Sequence, residues 1–155
     1  CALAIEKAAQ IEVPARAKAI RIIMDELQRL TSHELWWGSC AMDIGAVTPF
    51  FLGFRDRERI LELFEQNTGN RLTMSYIIPG GVMNDVRPDF VPKLKALLKS
   101  IKDYRKEYDQ LITGNYIFQH RTQGIGHLSK EQAISLGCTG PTARASGLSC
   151  DIRKL

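Results

Sequence analysis

The residues most able to do chemistry fall in one stretch, Ser32 to Phe51, which runs SHELWWGSCAMDIGAVTPFF. It reads as a buried, mostly apolar helix carrying the carboxylate Asp43, followed by a Thr-Pro break and two aromatics. An ionised acid in such a wall must be paired or wetted, because stranding its charge in low dielectric costs several kcal/mol or forces it to neutralise. Ser39 lies one helical turn before Asp43, so both polar groups point to the same side and form a polar spot in an apolar wall. The same carboxylate could instead cap or tie down a neighbouring backbone, and the pattern alone leaves both readings open.

Other candidate motifs are weaker. His33-Glu34 opens like a zinc-protease helix, but the residue four after His33 is Trp37, which removes the zinc reading and leaves a structural or interface histidine. Gly124-Ile125-Gly126 lacks the third glycine and the long following helix of a dinucleotide loop. Cys1, Cys40, Cys138 and Cys150 form no C-x-x-C pair, which disfavours a zinc or iron–sulfur site built by this chain alone and favours buried or free thiols. The charge is +4, with 21 basic residues interspersed among 17 acids, not the aromatic-studded basic ribbon of a nucleic-acid binder. A mildly basic face suits an anionic membrane surface or an acidic partner. No run approaches the roughly 18 apolar residues of a membrane span, and no signal peptide is visible.

The 155 residues, 45% of them hydrophobic, suffice for one domain with its own core. Residues 1–12 read as the tail of a helix. Pro14 then opens a long central helix in which Ile20, Ile23, Met24, Leu27 and Leu30 form one apolar stripe that continues to about Ala46. Pro49 breaks it. Arg55 to Gln66 is amphipathic, with Ile60, Leu61, Leu63 and Phe64 inward and the charges, Asp56 among them, mostly outward on a solvated or partner-facing surface. Thr68-Gly69 stops that helix. Residues 71–87 form an ordered, irregular excursion around Pro79-Gly80-Gly81. A second long helix covers Pro88 to Leu111, and a shorter one Tyr116 to Arg121. Ser129 and Gln132 make a capping box for a helix that ends at Gly137, and residues 140–147 form a small-residue loop around Arg144. The fold class is therefore mainly α, a helical bundle with short irregular or β excursions, in one domain over residues 1–155. The opening on Cys1 within a helical pattern and the close at residues 151–155 both read as cuts in a longer chain.

The stretch SHELWWGSCAMDIGAVTPFF, followed by GFRDRERILELFEQNTGNR, PGGVMNDV, FQHRTQGIGHLSKEQAISLGCTGP and RASGLSCDIRKL, resembles the D subunit of NADH-quinone oxidoreductase (respiratory complex I). That family is related to the large subunit of NiFe hydrogenases. The resemblance covers essentially the whole chain in order, and several motifs together make it specific. It implies a fragment of the hydrogenase-large-subunit-like fold in the quinone-reducing module of a proton-translocating oxidoreductase. The substrate would be menaquinone or ubiquinone, and a 4Fe-4S cluster would be held by a partner subunit. Partners would be the B, C, H and I subunits, at the cytoplasmic face of the inner membrane and peripheral to it.

By the same resemblance, Asp43 is the catalytic aspartate that pairs with a histidine lying, like a quinone-contacting tyrosine, before residue 1. Asp43 would orient that histidine and stabilise its charged form, so that a proton follows the electrons to the quinone. Ser39 matches a hydroxyl lining the quinone cavity and Phe51 an apolar wall residue. Thr73 stands near the cluster where many members carry histidine, and losing that donor implies a lower cluster potential and a low-potential quinone such as menaquinone. Two alternatives remain at this point: a non-catalytic scaffold or interaction segment, and a membrane-bound hydrogenase-related large subunit, which would need cysteine pairs that this sequence lacks.

Overall fold

A computed structural model describes residues 1–151 and residue 154; the remaining positions of the closing 151–155 stretch lie outside the described residues. The chain divides into two compact units, residues 1–115 and 116–155.

In the first unit, α1 (Ala2–Ala9) precedes α2 (Ala15–Asp43), a 29-residue helix that Pro14 introduces. α3 (Thr48–Thr68) follows after a four-residue corner. That corner turns on Gly45, whose φ of 101° suits a residue without a Cβ. Pro49 therefore does not mark the break itself. It sits in the first turn of α3, where its missing N–H is not needed and its fixed φ is already helical.

α2 and α3 run antiparallel and touch backbone to backbone. A Cβ on Gly38 would stand 3.0 Å from Cα of Phe50, and one on Gly53 would stand 2.7 Å from the carbonyl oxygen of Glu34. Below this contact Ile20, Met24 and Leu27 of α2 meet Ile60, Leu63 and Phe64 of α3. Phe64 and Ile60 are fully buried. Each such side chain contributes about 1.5–3 kcal/mol by leaving water.

The excursion after α3 closes over this core. β1 (Ile77–Ile78) and β2 (Gly81–Val82) form a minimal antiparallel hairpin that turns at Gly80, with φ 91°. Arg21, buried in α2, holds it. Its Nη2 donates to the carbonyls of Ile78 and Gly81 at 2.8 Å and to Glu6 Oε1 at 2.5 Å. Glu6 Oε1 in turn accepts the N–H of Gly80 at 2.9 Å. Hydrogen bonding from Arg21 holds the Glu6 carboxyl below its ordinary pKa. Tyr76 and Phe90 plug the core, and α4 (Phe90–Tyr108) packs on α3 through Leu97. α4 passes into a π-helical turn, Asp109–Thr113, slightly beyond the expected end at Leu111.

The second unit holds α5 (Tyr116–Thr122), α6 (Lys130–Ser135) and α7 (Gly140–Ala145). The Ser129–Gln132 capping box is formed, with both reciprocal bonds present. α7 corrects the expected loop over 140–147. Pro141 in its first turn supplies a preset φ, and Ala143 is buried, so the small residues there are helical packing residues. The architecture is mainly α with a two-strand hairpin, as the periodicity predicts. Among the described residues no helix is long and apolar enough to cross a membrane.

The α2–α3 contact leaves no room for a methyl group. Gly53→Ala should destabilise the first unit by about 1–3 kcal/mol, the scale of overpacking a closed contact. Thermal unfolding measures this, and an unchanged midpoint would mean that the two helices can separate at no cost.

Candidate functional site

The expected site residues fall at two places on the first unit. Ser39 and Asp43 lie on the last turns of α2, and Phe51 lies on the first turn of α3, so all three gather at the α2–α3 corner. Phe50 fixes that turn by seating its backbone on Gly38 and stacking its ring against Phe54 at 4.5 Å. Phe51 meets Phe50 only edge-on, at 5.8 Å, and is 65% exposed.

The expectation that this end of α2 is buried needs correction for the chain by itself. Asp43 is exposed and Ser39 half-buried. Trp36 is 66% exposed, and Leu35, Met42 and Val47 also face outward. α2 runs past the end of the core, so its final turns meet α3 and, through Trp37, Tyr108 of α4, while the face that carries Trp36 and Asp43 is open. Leu35, Trp36, Met42, Val47 and Phe51 thus expose large apolar side chains around a hydroxyl and a carboxylate.

Thr73 lies elsewhere. It shares a cleft of about 260 Å³ with Met24, Asp25 and Gln28 of α2, Thr68 at the end of α3, and Met74 and Tyr76. Gln28 is fifteen residues before Asp43, about 22 Å along the axis of α2. The cluster-facing and quinone-facing candidates are therefore far apart along one helix. Thr73 has φ 51°, rare for a β-branched residue and a sign that the surroundings hold it against strain. Its hydroxyl donates to the carbonyl of Leu72 at 2.8 Å.

Sequence reasoning missed two acids. Asp56, expected on the outer face of α3, is fully buried. It accepts the Tyr108 hydroxyl and, at 3.1 Å, Nε of Arg55. Arg55 also binds Glu107 at 3.2 Å and lies 4.1 Å over the Tyr104 ring. Glu34, passed over with the failed zinc motif, is buried to 9% exposure. Burial first, and the charge of Asp56 second, raise its carboxyl to about 7, against the opposing pull of Arg55.

A signal for both was present in spacing. Ala17, Ile20, Met24, Leu27, Thr31, Glu34, Gly38 and Ala41 are all buried and alternate steps of three and four. Pro49, Gly53, Asp56, Ile60, Leu63 and Asn67 do the same on α3. Extending each stripe through its polar positions, instead of stopping at them, places Glu34 and Asp56 inside.

Comparisons with known proteins agree with this architecture. The family described as the 49 kDa subunit of respiratory-chain NADH dehydrogenase matches residues 43–155. The C/D subunit of the Bacteroides fragilis NADH-quinone oxidoreductase is 53% identical over 98% of this chain and 29% of its own length. Subunit 4 of the Thermus thermophilus NADH-quinone oxidoreductase is 48% identical over 99% of this chain and 37% of its own. A chain in the structure of the membrane-bound sulfane sulfur reductase, an archaeal respiratory membrane complex, superimposes with a TM-score of 0.93 at 36% identity. That match covers 97% of this chain and 40% of the other. This chain thus spans well under half the length of these relatives. The motif-by-motif resemblance, the family match and the shared backbone agree: the chain belongs to the family of the 49 kDa subunit of respiratory-chain NADH dehydrogenase.

Proposed function

We propose that this chain is part of the quinone-reducing module of an NADH-quinone oxidoreductase, with the α2–α3 corner as one wall of the quinone cavity. The observation that carries the reading is the open apolar face there, formed by Trp36, Met42, Val47 and Phe51, with Asp43 and Ser39 set in it. A quinone needs that combination: an apolar wall for ring and tail, and a few polar groups at the headgroup oxygens. The exposure of the face fits a cavity completed by other segments and other chains. The B, C, H and I subunits are the expected neighbours, at the cytoplasmic face of the membrane.

In this reading Asp43 is a negative charge at the end of a rigid helix, available to hold a basic side chain brought by another segment. Stabilising that side chain's protonated form keeps a proton beside the headgroup as electrons arrive. Ser39, one turn earlier, offers a hydroxyl to the same space, and Phe51 gives the headgroup an apolar surface. A 4Fe-4S cluster held by a partner subunit would supply the electrons. Thr73, at the far cleft, is the position of this chain that faces it, and its hydroxyl is already committed to a backbone carbonyl. The cluster therefore receives neither a charge nor a side-chain donor from that position, which favours a low potential and a quinone such as menaquinone. A second reading, in which the acceptor is a sulfur compound, draws only on the backbone shared with the sulfane sulfur reductase.

In the assembled enzyme, Asp43→Asn should lower quinone-dependent turnover by roughly 100-fold, the scale of a positioned acid–base group, with assembly intact. A complex that fails to assemble would make Asp43 structural, and full quinone turnover would remove it from the site. Phe51→Ala should raise KM for quinone several-fold with a smaller change in kcat; unchanged quinone kinetics would take Phe51 out of the cavity wall. Thr73→His should raise the midpoint potential of the terminal cluster in a redox titration followed by electron paramagnetic resonance. Histidine is also better suited than threonine to the left-handed backbone there, so a potential that does not move would count against the placement of the cluster and not against the folding of the variant.

A further inference from the structure

The acid pair inside the first unit takes no part in the reading above, and its charge balance does not close. Three carboxylates, Glu34, Asp56 and Glu107, surround one guanidinium, that of Arg55. Asp56 takes one edge of it at 3.1 Å and has the Tyr108 hydroxyl as a second donor. Glu107 takes another edge at 3.2 Å. Glu34 has no protein partner: among the described residues no hydrogen bond or ion pair reaches its carboxylate, which keeps some contact with solvent although the residue is only 9% exposed.

Its position is fixed by the helix contact. The Glu34 carbonyl seats on Gly53, one turn before Asp56, and the Glu34 side chain lines a cleft of about 710 Å³ between α2 and α4. Leu30, Leu98 and Ile101 give that cleft apolar walls, and Tyr108 stands in it while donating to Asp56. Lys99, Lys102 and Arg105 of α4 also border it, but all three are exposed and none pairs with Glu34. His33, the neighbouring titratable group on α2, faces outward. A carboxyl that is mostly buried, without a protein partner and beside the carboxyl of Asp56 favours its protonated form, and the more weakly acting Arg55 opposes this.

We propose that Glu34 is a proton-binding site. Its carboxyl, packed beside that of Asp56, carries a proton in the neutral range, and the proton exchanges with water through the α2–α4 cleft. The step is one O–H bond: Glu34 releases H⁺ to cleft water and becomes a carboxylate, with no change of oxidation state. The site lies nine residues from Asp43, about 13 Å along the same helix, so the last turns of α2 hold one protonated and one exposed acid. The assignment does not depend on the quinone reading, since it follows from the packing of α2, α3 and α4.

The direction of its pH dependence follows. Below the ordinary glutamate value of 4.5, Glu34 is protonated in folded and unfolded chains alike and costs nothing. As pH rises toward 7, the unfolded chain loses the proton and the folded one keeps it, so stability falls; above 7 the full penalty applies. Glu34→Gln should therefore match the wild type near pH 4 and become the more stable protein on the alkaline side of 7.

The decisive experiment is infrared difference spectroscopy of the assembled enzyme, in H₂O and D₂O, between about pH 5 and about pH 9. The wild type should show a protonated-carboxyl band, sensitive to deuteration, that fades with a midpoint near 7. Glu34→Gln should abolish it. Asp56→Asn should move its midpoint to lower pH, because it removes the like charge and frees the positive charge of Arg55. A band that survives in Glu34→Gln, or no such band at pH 6, overturns the proposal. If Asp56→Asn does not assemble, the near-isosteric Glu34→Gln decides alone: unfolding profiles that run parallel to the wild type at every pH also overturn it.

Discussion

The close approach of α2 and α3 at Gly38 and Gly53 is the constraint on which the first unit depends. Two missing side chains let the backbones touch at Phe50 and Glu34, and that contact sets the register of every pair below it, from the buried acids to Ile60 and Phe64. It also decides what faces outward. With α3 pinned so tightly to one side of α2, the opposite side of the final turns has no neighbour within the unit. The open apolar corner and the closed core are thus two results of one contact.

The buried charges of this unit show how differently a fold can treat an ion. Glu6 and Arg21 are matched edge to edge, and their spare valences are used on the carbonyls and N–H of the β1–β2 turn. That pair is satisfied, and it fixes the hairpin over the core. Asp56 is matched less completely, through Arg55 and Tyr108, and Glu34 is not matched at all. A satisfied pair resists titration across the physiological range. An unsatisfied acid takes up a proton instead, because protonation then costs less free energy than keeping the charge.

The length of α2 sets the layout of the proposed sites. One 29-residue helix borders the Thr73 cleft near its middle, carries Glu34 further on and ends at the Asp43 corner, about 22 Å from the cleft. A rigid rod of this kind keeps the proposed electron-entry and quinone-reducing points at constant separation while other bodies assemble around them. Strain at Thr73 is tolerated because the flanking Met74 and Tyr76 are anchored in the core.

Much of this was legible in the sequence, and for local reasons. Three- and four-residue spacing fixed the helices and most of the core. Gly69 and Gly137 end helices by backbone freedom, Pro14 introduces one by its preset φ, and Ser129 with Gln132 caps one by reciprocal bonds. The ordered motifs carried the family. Tertiary structure decided what depends on a neighbour's position. Glu34 and Asp56 lie inside because a facing helix covers the stripes that run through them; the spacing marks their face, but only the packing of α2 on α3 covers it. Asp43 lies outside because α2 outruns its partners, although its sequence surroundings are as apolar as a core. Pro49 opens a helix and does not end one, and residues 140–145 are helical because Ala143 has somewhere to pack. Periodicity records which face of a helix is apolar; only packing determines whether anything covers it.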